Sequence, residues 1–186
     1  MRPGTPAAYL HGHHERLGFD DATFDVVHAH QVLQHLADPI AALAEMRRVC
    51  RPGGIVAARD GDYGGMFWFP EAPGLAEWRE LYQQVARALD GEPDAGRRML
   101  RWARAAGFTE IEASASAWCF ATPGERSWWG SLWADRLTES NFGEQVIGHG
   151  LATRQDVERL AQDWLRWASS EDGWFLVPHG EILCRA

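Results

Sequence analysis

Lysine is absent from this chain. All 18 of its basic residues are arginine, and with the alanine-rich texture around them this is the imprint of a coding bias before it is a sign of function. Cations are also outnumbered, since 26 acidic residues leave a net charge of −8. That balance excludes the basic stripe on which phosphate backbones are bound, so no nucleic-acid partner is expected. The run Arg97, Arg98, Arg101 and Arg104 reads instead as the solvated face of a helix. No apolar stretch approaches the ~20 residues of a membrane span, and the N-terminus carries no apolar signal core, so the expectation is a cytoplasmic protein without a membrane partner. Cysteine is scarce as well. Cys50, Cys119 and Cys184 are odd in number, far apart and in no C-x-x-C arrangement, which excludes a disulfide framework and a zinc knuckle.

Tryptophan, by contrast, occurs ten times, enough to build an aromatic core or to wall an aromatic pocket. The 186 residues suit one domain, and no repeat or low-complexity linker divides them. Phe24 to Ala29 is short, apolar and β-branched, which predicts a buried strand. Asp38-Pro39 supplies a cap and a first-turn proline for a helix carrying Ile40, Leu43, Met46 and Val49. Arg51-Pro52-Gly53-Gly54 ends that helix and Ile55 to Ala58 begins a second strand, giving a right-handed βαβ unit. A further helix is spaced by Leu75, Trp78, Leu81, Tyr82, Val85 and Leu89, and another runs from Asp94 to Gly107. From Ile111 to Cys119 the apolar or small residues alternate with polar ones, the period of a strand with one wetter face. Thr122 and Glu125 have capping-box spacing before Trp129, Leu132, Trp133 and Leu137. Thr153 to Asp156 opens a helix with Val157, Leu160, Ala161, Trp164, Leu165 and Ala168, and Trp174 to Cys184 reads as a last strand.

Six of the eight histidines fall within the first 35 residues. His28 and His30 would share a strand face, but no carboxylate or cysteine completes a ligand set, so no metal is expected. Asp60-Gly61-Asp62-Tyr63-Gly64-Gly65, after the second strand, reads as a pocket-shaping loop or a solvated turn.

The segment Leu17-Gly18-Phe19 through Phe24-Asp25, the run Val32-Leu33-Gln34-His35 and the turn Arg48-Val49-Cys50-Arg51-Pro52-Gly53-Gly54 occur in that order. Together they resemble the central part of class I S-adenosylmethionine-dependent methyltransferases, especially those of ubiquinone and menaquinone biosynthesis. Ala106-Gly107-Phe108 is similar to the family's entry into its sixth strand. The resemblance implies an α/β fold: a partial Rossmann-like methyltransferase sheet, strands four to seven, with an added helical, tryptophan-rich segment over 122–170 on the substrate side. It implies S-adenosylmethionine as cofactor, with His13, His14, His30 and Gln31 on the cofactor side. It further implies a small, apolar or aromatic methyl acceptor. His35, Asp62, Tyr63 and His179 are the candidate bases, because each falls near a strand end. Trp68, Trp128, Trp129 and Trp133 are the candidate walls of the acceptor pocket, half of them expected in the core.

The family's glycine-rich cofactor loop and ribose-binding acid stand upstream of the matched segment, and Met1 to Arg16 hold no G-x-G pattern after a strand. The expectation is therefore an N-terminally incomplete domain over 1–186, weak or inactive by itself. The alternative is a non-catalytic remnant that binds a hydrophobic ligand or a protein partner. The first strand would then present an unpaired apolar edge at Val26, open to self-association unless Ala7 to His11 fold back upon it.

Overall fold

The computed structural model describes residues 16–186. The expectations for Ala7 to His11, His13 and His14 lie outside the described residues.

Among the described residues, five strands and six helices form a mixed α/β arrangement. β1 (Phe24–His30) leads into α1 (Pro39–Val49), whose start is fixed as expected: the Asp38 carboxylate accepts the Ala41 amide at 2.8 Å, with proline at the first helical position. β2 is longer than its apolar kernel, running Cys50–Gly61 directly from the end of α1. The Arg51–Gly54 turn thus lies within the strand as a bulge. Gly53, at φ +77°, lets the register jump so that Phe24 pairs with Cys50 but Val26 with Ile55. β3 (Phe67–Phe69), α2 (Pro73–Ala88), α3 (Met99–Ala105) and β4 (Ile111–Phe120) follow. The chain ends through α4 (Pro123–Thr138), α5 (Asn141–Gly148), α6 (Arg154–Ser169) and β5 (Trp174–Arg185).

β1 and β2 are parallel, and every other pairing is antiparallel and made with β5. β2 and β3 pair with successive parts of β5, and β4 takes its other edge along nearly the whole strand. Two cores result. Leu43, Met46, Met99 and Trp102 close over Val56, Ala58, Ile182 and Cys184. Trp78, Trp133 and Trp164, from α2, α4 and α6, close over Phe175 and Val177. The tryptophan surplus is therefore chiefly core: six of the ten are buried, with the Trp78 ring 4.3 Å from that of Trp133 and 4.7 Å from that of Trp164. The capping box expected at Thr122/Glu125 forms, and a second one, at Thr153/Asp156, starts the helix expected there. No helix among the described residues is long and apolar enough to cross a membrane.

Several expectations are corrected. Leu89 caps α2 and is exposed, and on α6 Trp167 is buried where Leu165 faces out. The helix expected from Asp94 begins only at Met99, after a 3-10 turn at Gly96–Arg98. Asp94 does not cap it, because its carboxylate accepts from the Gly64 amide, Gln83 and Arg87. Arg97 and Arg98 are not a freely solvated face, since they pair with Asp62 and Glu92. β4 shows no dry side: residues 112–119 are exposed on both faces, as befits an edge strand, and only Phe120 is buried. The sequence reading also missed α5, which Ser140 caps.

Candidate active site

The parallel strands β1 and β2 end side by side, with His30 opposite Arg59 and the Gln31 amide bonded to the Arg59 carbonyl at 2.8 Å. Open sheets hold ligands at such carboxyl ends. Gln31 has φ +57°, a left-handed conformation uncommon outside glycine, which turns the chain off the strand. A 3-10 turn at Leu33–His35 then brings Gln34 and His35 back over the strand ends. The antiparallel β5 contributes His179, directly across from Gly61.

These residues form one hydrogen-bonded chain. The Gly61 amide meets Gln34 Oε1 at 3.3 Å, and Gln34 Nε2 reaches Gln31 Oε1 at 2.9 Å and His35 Nε2 at 3.0 Å. Gln31 Nε2 in turn lies 2.7 Å from His179 Nε2. Beneath them Asp60 is fully buried. Its Oδ1 accepts the Gln34 amide at 3.0 Å while Oδ2 has no partner, and burial pushes its pKa up to about 6. Burial and the nearby Arg59 hold His179 down to about 4, so its ring is neutral. His35 is also held below its ordinary value, by burial and by Arg136.

Of the four candidate bases, the structure joins His35 and His179 through the two glutamines. Asp62 is engaged elsewhere: it accepts from Arg97 Nε at 2.7 Å, the Arg97 amide at 3.0 Å and the Gly65 amide at 3.1 Å. Burial raises the Asp62 pKa, but Arg97 and these amides outweigh it and leave the carboxyl below its usual range. Tyr63 is buried and stacked on Tyr82 at 4.1 Å, and burial drives its phenol well above the ordinary value. Of the residues expected on the cofactor side, His30 has its Nε2 2.7 Å from Arg59 Nη1.

The four candidate tryptophans do not wall one pocket, although Trp128, Trp129 and Trp133 are neighbours on α4, with successive ring centroids 5.7 and 5.8 Å apart. Trp129 and Trp133 are inside the core, Trp128 is on the surface, and Trp68 lines a separate cavity of about 350 Å³ with Phe67 and Arg79. His35 instead opens on a cavity of about 330 Å³ whose walls include Tyr82, Val85, Leu89, Phe142 and Gln145. Sequence reasoning missed Gln34, Tyr82, Phe142 and Gln145 as site residues, and it placed Asp60 in a loop after the second strand when it is a buried residue of β2 itself. For Asp60 a signal existed, since the strand alternation that buries Val56 and Ala58 buries it too.

Residues 2–58 match the methyltransferase domain family. An uncharacterized methyltransferase of Schizosaccharomyces pombe is 38% identical over 172 residues, covering 90% of this chain and 60% of that protein. The chain thus spans under two thirds of that relative's length. The demethylmenaquinone methyltransferase of Bacillus subtilis is 43% identical over 63 residues, 34% of this chain and 27% of that one. Among solved structures, a candidate methyltransferase of Bacillus halodurans superposes with a TM-score of 0.52 at 17% identity, over 95% of this chain and 76% of that chain, a likeness of fold.

Proposed function

We propose that this chain is a class I S-adenosylmethionine-dependent methyltransferase, transferring a methyl group from S-adenosylmethionine to a small apolar or aromatic acceptor; the methyltransferase-domain match over residues 2–58 and the Schizosaccharomyces pombe relative support this. The acceptor site is the cavity beside His35. The cofactor supplies an electrophilic sulfonium methyl, so alignment and exclusion of water supply much of the catalysis. His30 and Gln31 are the residues on the cofactor side, with His13 and His14 retained there as proposals. Their support is the turn that Gln31 makes at the strand end. Tyr82 and Phe142 wall the acceptor, and α4 to α6, over 122–170, form the acceptor side.

The observation that carries this reading is the meeting of His35, Gln34, Gln31 and His179 at the carboxyl ends of two parallel strands, next to an apolar cavity. Release of S-adenosylhomocysteine, followed over a panel of small aromatic and aliphatic acceptors, tests it. The 186 residues alone are expected to turn over weakly or not at all; in a chain supplied with the family's glycine-rich cofactor loop, turnover is expected with a flat apolar acceptor, and Phe142→Ala should raise KM roughly tenfold with little change in kcat, the mark of lost binding. Absence of turnover across the panel in that loop-bearing chain, or an unchanged KM in its Phe142 variant, would overturn it.

The edge of β1 supports a second proposal, self-association. Among the described residues β1 pairs only with β2, and Val26 is 58% exposed. Pairing this edge with a second copy would satisfy its free amides and cover Val26. Sedimentation at high protein concentration is expected to show a dimer that Val26→Lys weakens; a monomer at every concentration contradicts it.

A further inference from the structure

The hydrogen-bonded chain at the strand ends can be read in only one direction. A backbone amide can only donate, so the Gln34 atom facing the Gly61 amide at 3.3 Å is the carbonyl oxygen. The other end of Gln34 is then its NH₂ group, whose two protons go to Gln31 at 2.9 Å and to His35 Nε2 at 3.0 Å. The Gln31 atom receiving the first is its oxygen, which leaves the Gln31 NH₂ facing His179 Nε2 at 2.7 Å. Both ring nitrogens therefore accept, and a neutral imidazole that accepts at Nε2 carries its proton at Nδ1.

We infer that Gln34 is a positioning residue that fixes His35 as the Nδ1–H tautomer, so that His35 meets the acceptor as a hydrogen-bond donor and not as a base. Its Nε2 lone pair is occupied by Gln34. Its Nδ1 has no partner among the described residues, and the ring lines the cavity. Of the groups facing His35 from the packed elements, Arg136 of α4 is charged, while Tyr82 of α2 and Gln145 of α5 are not. The cation beside it favours the neutral ring, which keeps Nε2 available to Gln34. The proton of a hydroxyl acceptor consequently does not leave to His35. The acceptor class favoured is one that offers His35 a lone pair, such as an ionised phenol.

The role toward the acceptor rests on the methyl-transfer reading, whereas the tautomer does not, and the experiment separates them. Long-range ¹⁵N–¹H correlation spectra of the ligand-free 186-residue chain near neutral pH are expected to show His35 and His179 both with a pyrrole-like Nδ1 and a pyridine-like Nε2. Gln34→Glu keeps an acceptor for Gly61 but removes the donor, so His35 is expected to move its proton to Nε2. An Nε2–H tautomer for His35 in the unsubstituted protein overturns the inference, whatever the activity. So does an unmoved Nδ1 proton in a folded Gln34→Glu variant. The expected tautomers in a chain without methyl transfer would sustain Gln34's positioning role and overturn only the proposed function.

Discussion

Replacing Trp78 by alanine is expected to remove about 3–5 kcal/mol of stability, the usual range for deleting a fully enclosed large aromatic. The ring has no exposed surface and lies edge-on to both Trp133 and Trp164, at 4.3 and 4.7 Å. Three helices meet on it, so the space it leaves cannot be closed by moving one of them alone. Its indole nitrogen makes no hydrogen bond, so the loss is one of packing and apolar burial. Small domains hold roughly 5–15 kcal/mol in all, and urea denaturation should show the midpoint falling by a large fraction. Trp128→Ala is the comparison, because that side chain is 59% exposed and surface changes usually stay within about 0.5 kcal/mol. Similar small losses for both variants would show that the aromatic cluster is not what holds the helices to the sheet.

The second large effect concerns Asp60. Its pKa is raised from 3.8 to about 6 by burial, so the folded chain holds this proton over a range where the unfolded chain has released it. The contribution is fully present below about pH 4 and is lost as pH rises through about 6, a change on the order of 3 kcal/mol. Asp62 and Glu181, whose values are lowered, act in the opposite sense. The measurement is therefore the difference between the unsubstituted protein and Asp60→Asn, by denaturant titration at several pH values. The variant should gain relative to the parent across about pH 4 to 6 and hold a constant offset above it. A difference that does not vary with pH would mean that Asp60 titrates normally, with water reaching the carboxyl.

What could be foreseen from the residues was whatever is encoded locally. The Asp38-Pro39 start of α1, the Thr122/Glu125 capping box and the Thr153–Asp156 helix start are short-range hydrogen-bond patterns, and they form where expected. The α/β class followed from the alternation of a 2-residue with a 3.6-residue period, and the family from three motifs in order. The site was only half visible. His35 and His179 could be named because a titratable ring near a strand end announces itself, but 144 residues separate them and nothing in the sequence says that two glutamines join them. The misplaced pocket has a similar cause. Periodicity puts Trp129 and Trp133 on the inner face of α4 without saying whether that face meets a cavity or other tryptophans. α2 and α6 decide the matter by filling the space.

The central position of β5 governs the order in which this fold can assemble. β2, β3 and β4 all hydrogen-bond to it, β2 having β1 on its other edge, and Ile55 waits for Arg185. Loop closure over such a separation is slow, since its entropy is lost before the pairings reward it. α4 and α6, joined through a short segment containing α5, face no such delay. The helical half can gather first, and the sheet closes only when the twelve residues of the last strand arrive to be shared among three partners. A substitution that loosens β5 should thus slow the folding of strands that lie more than a hundred residues before it.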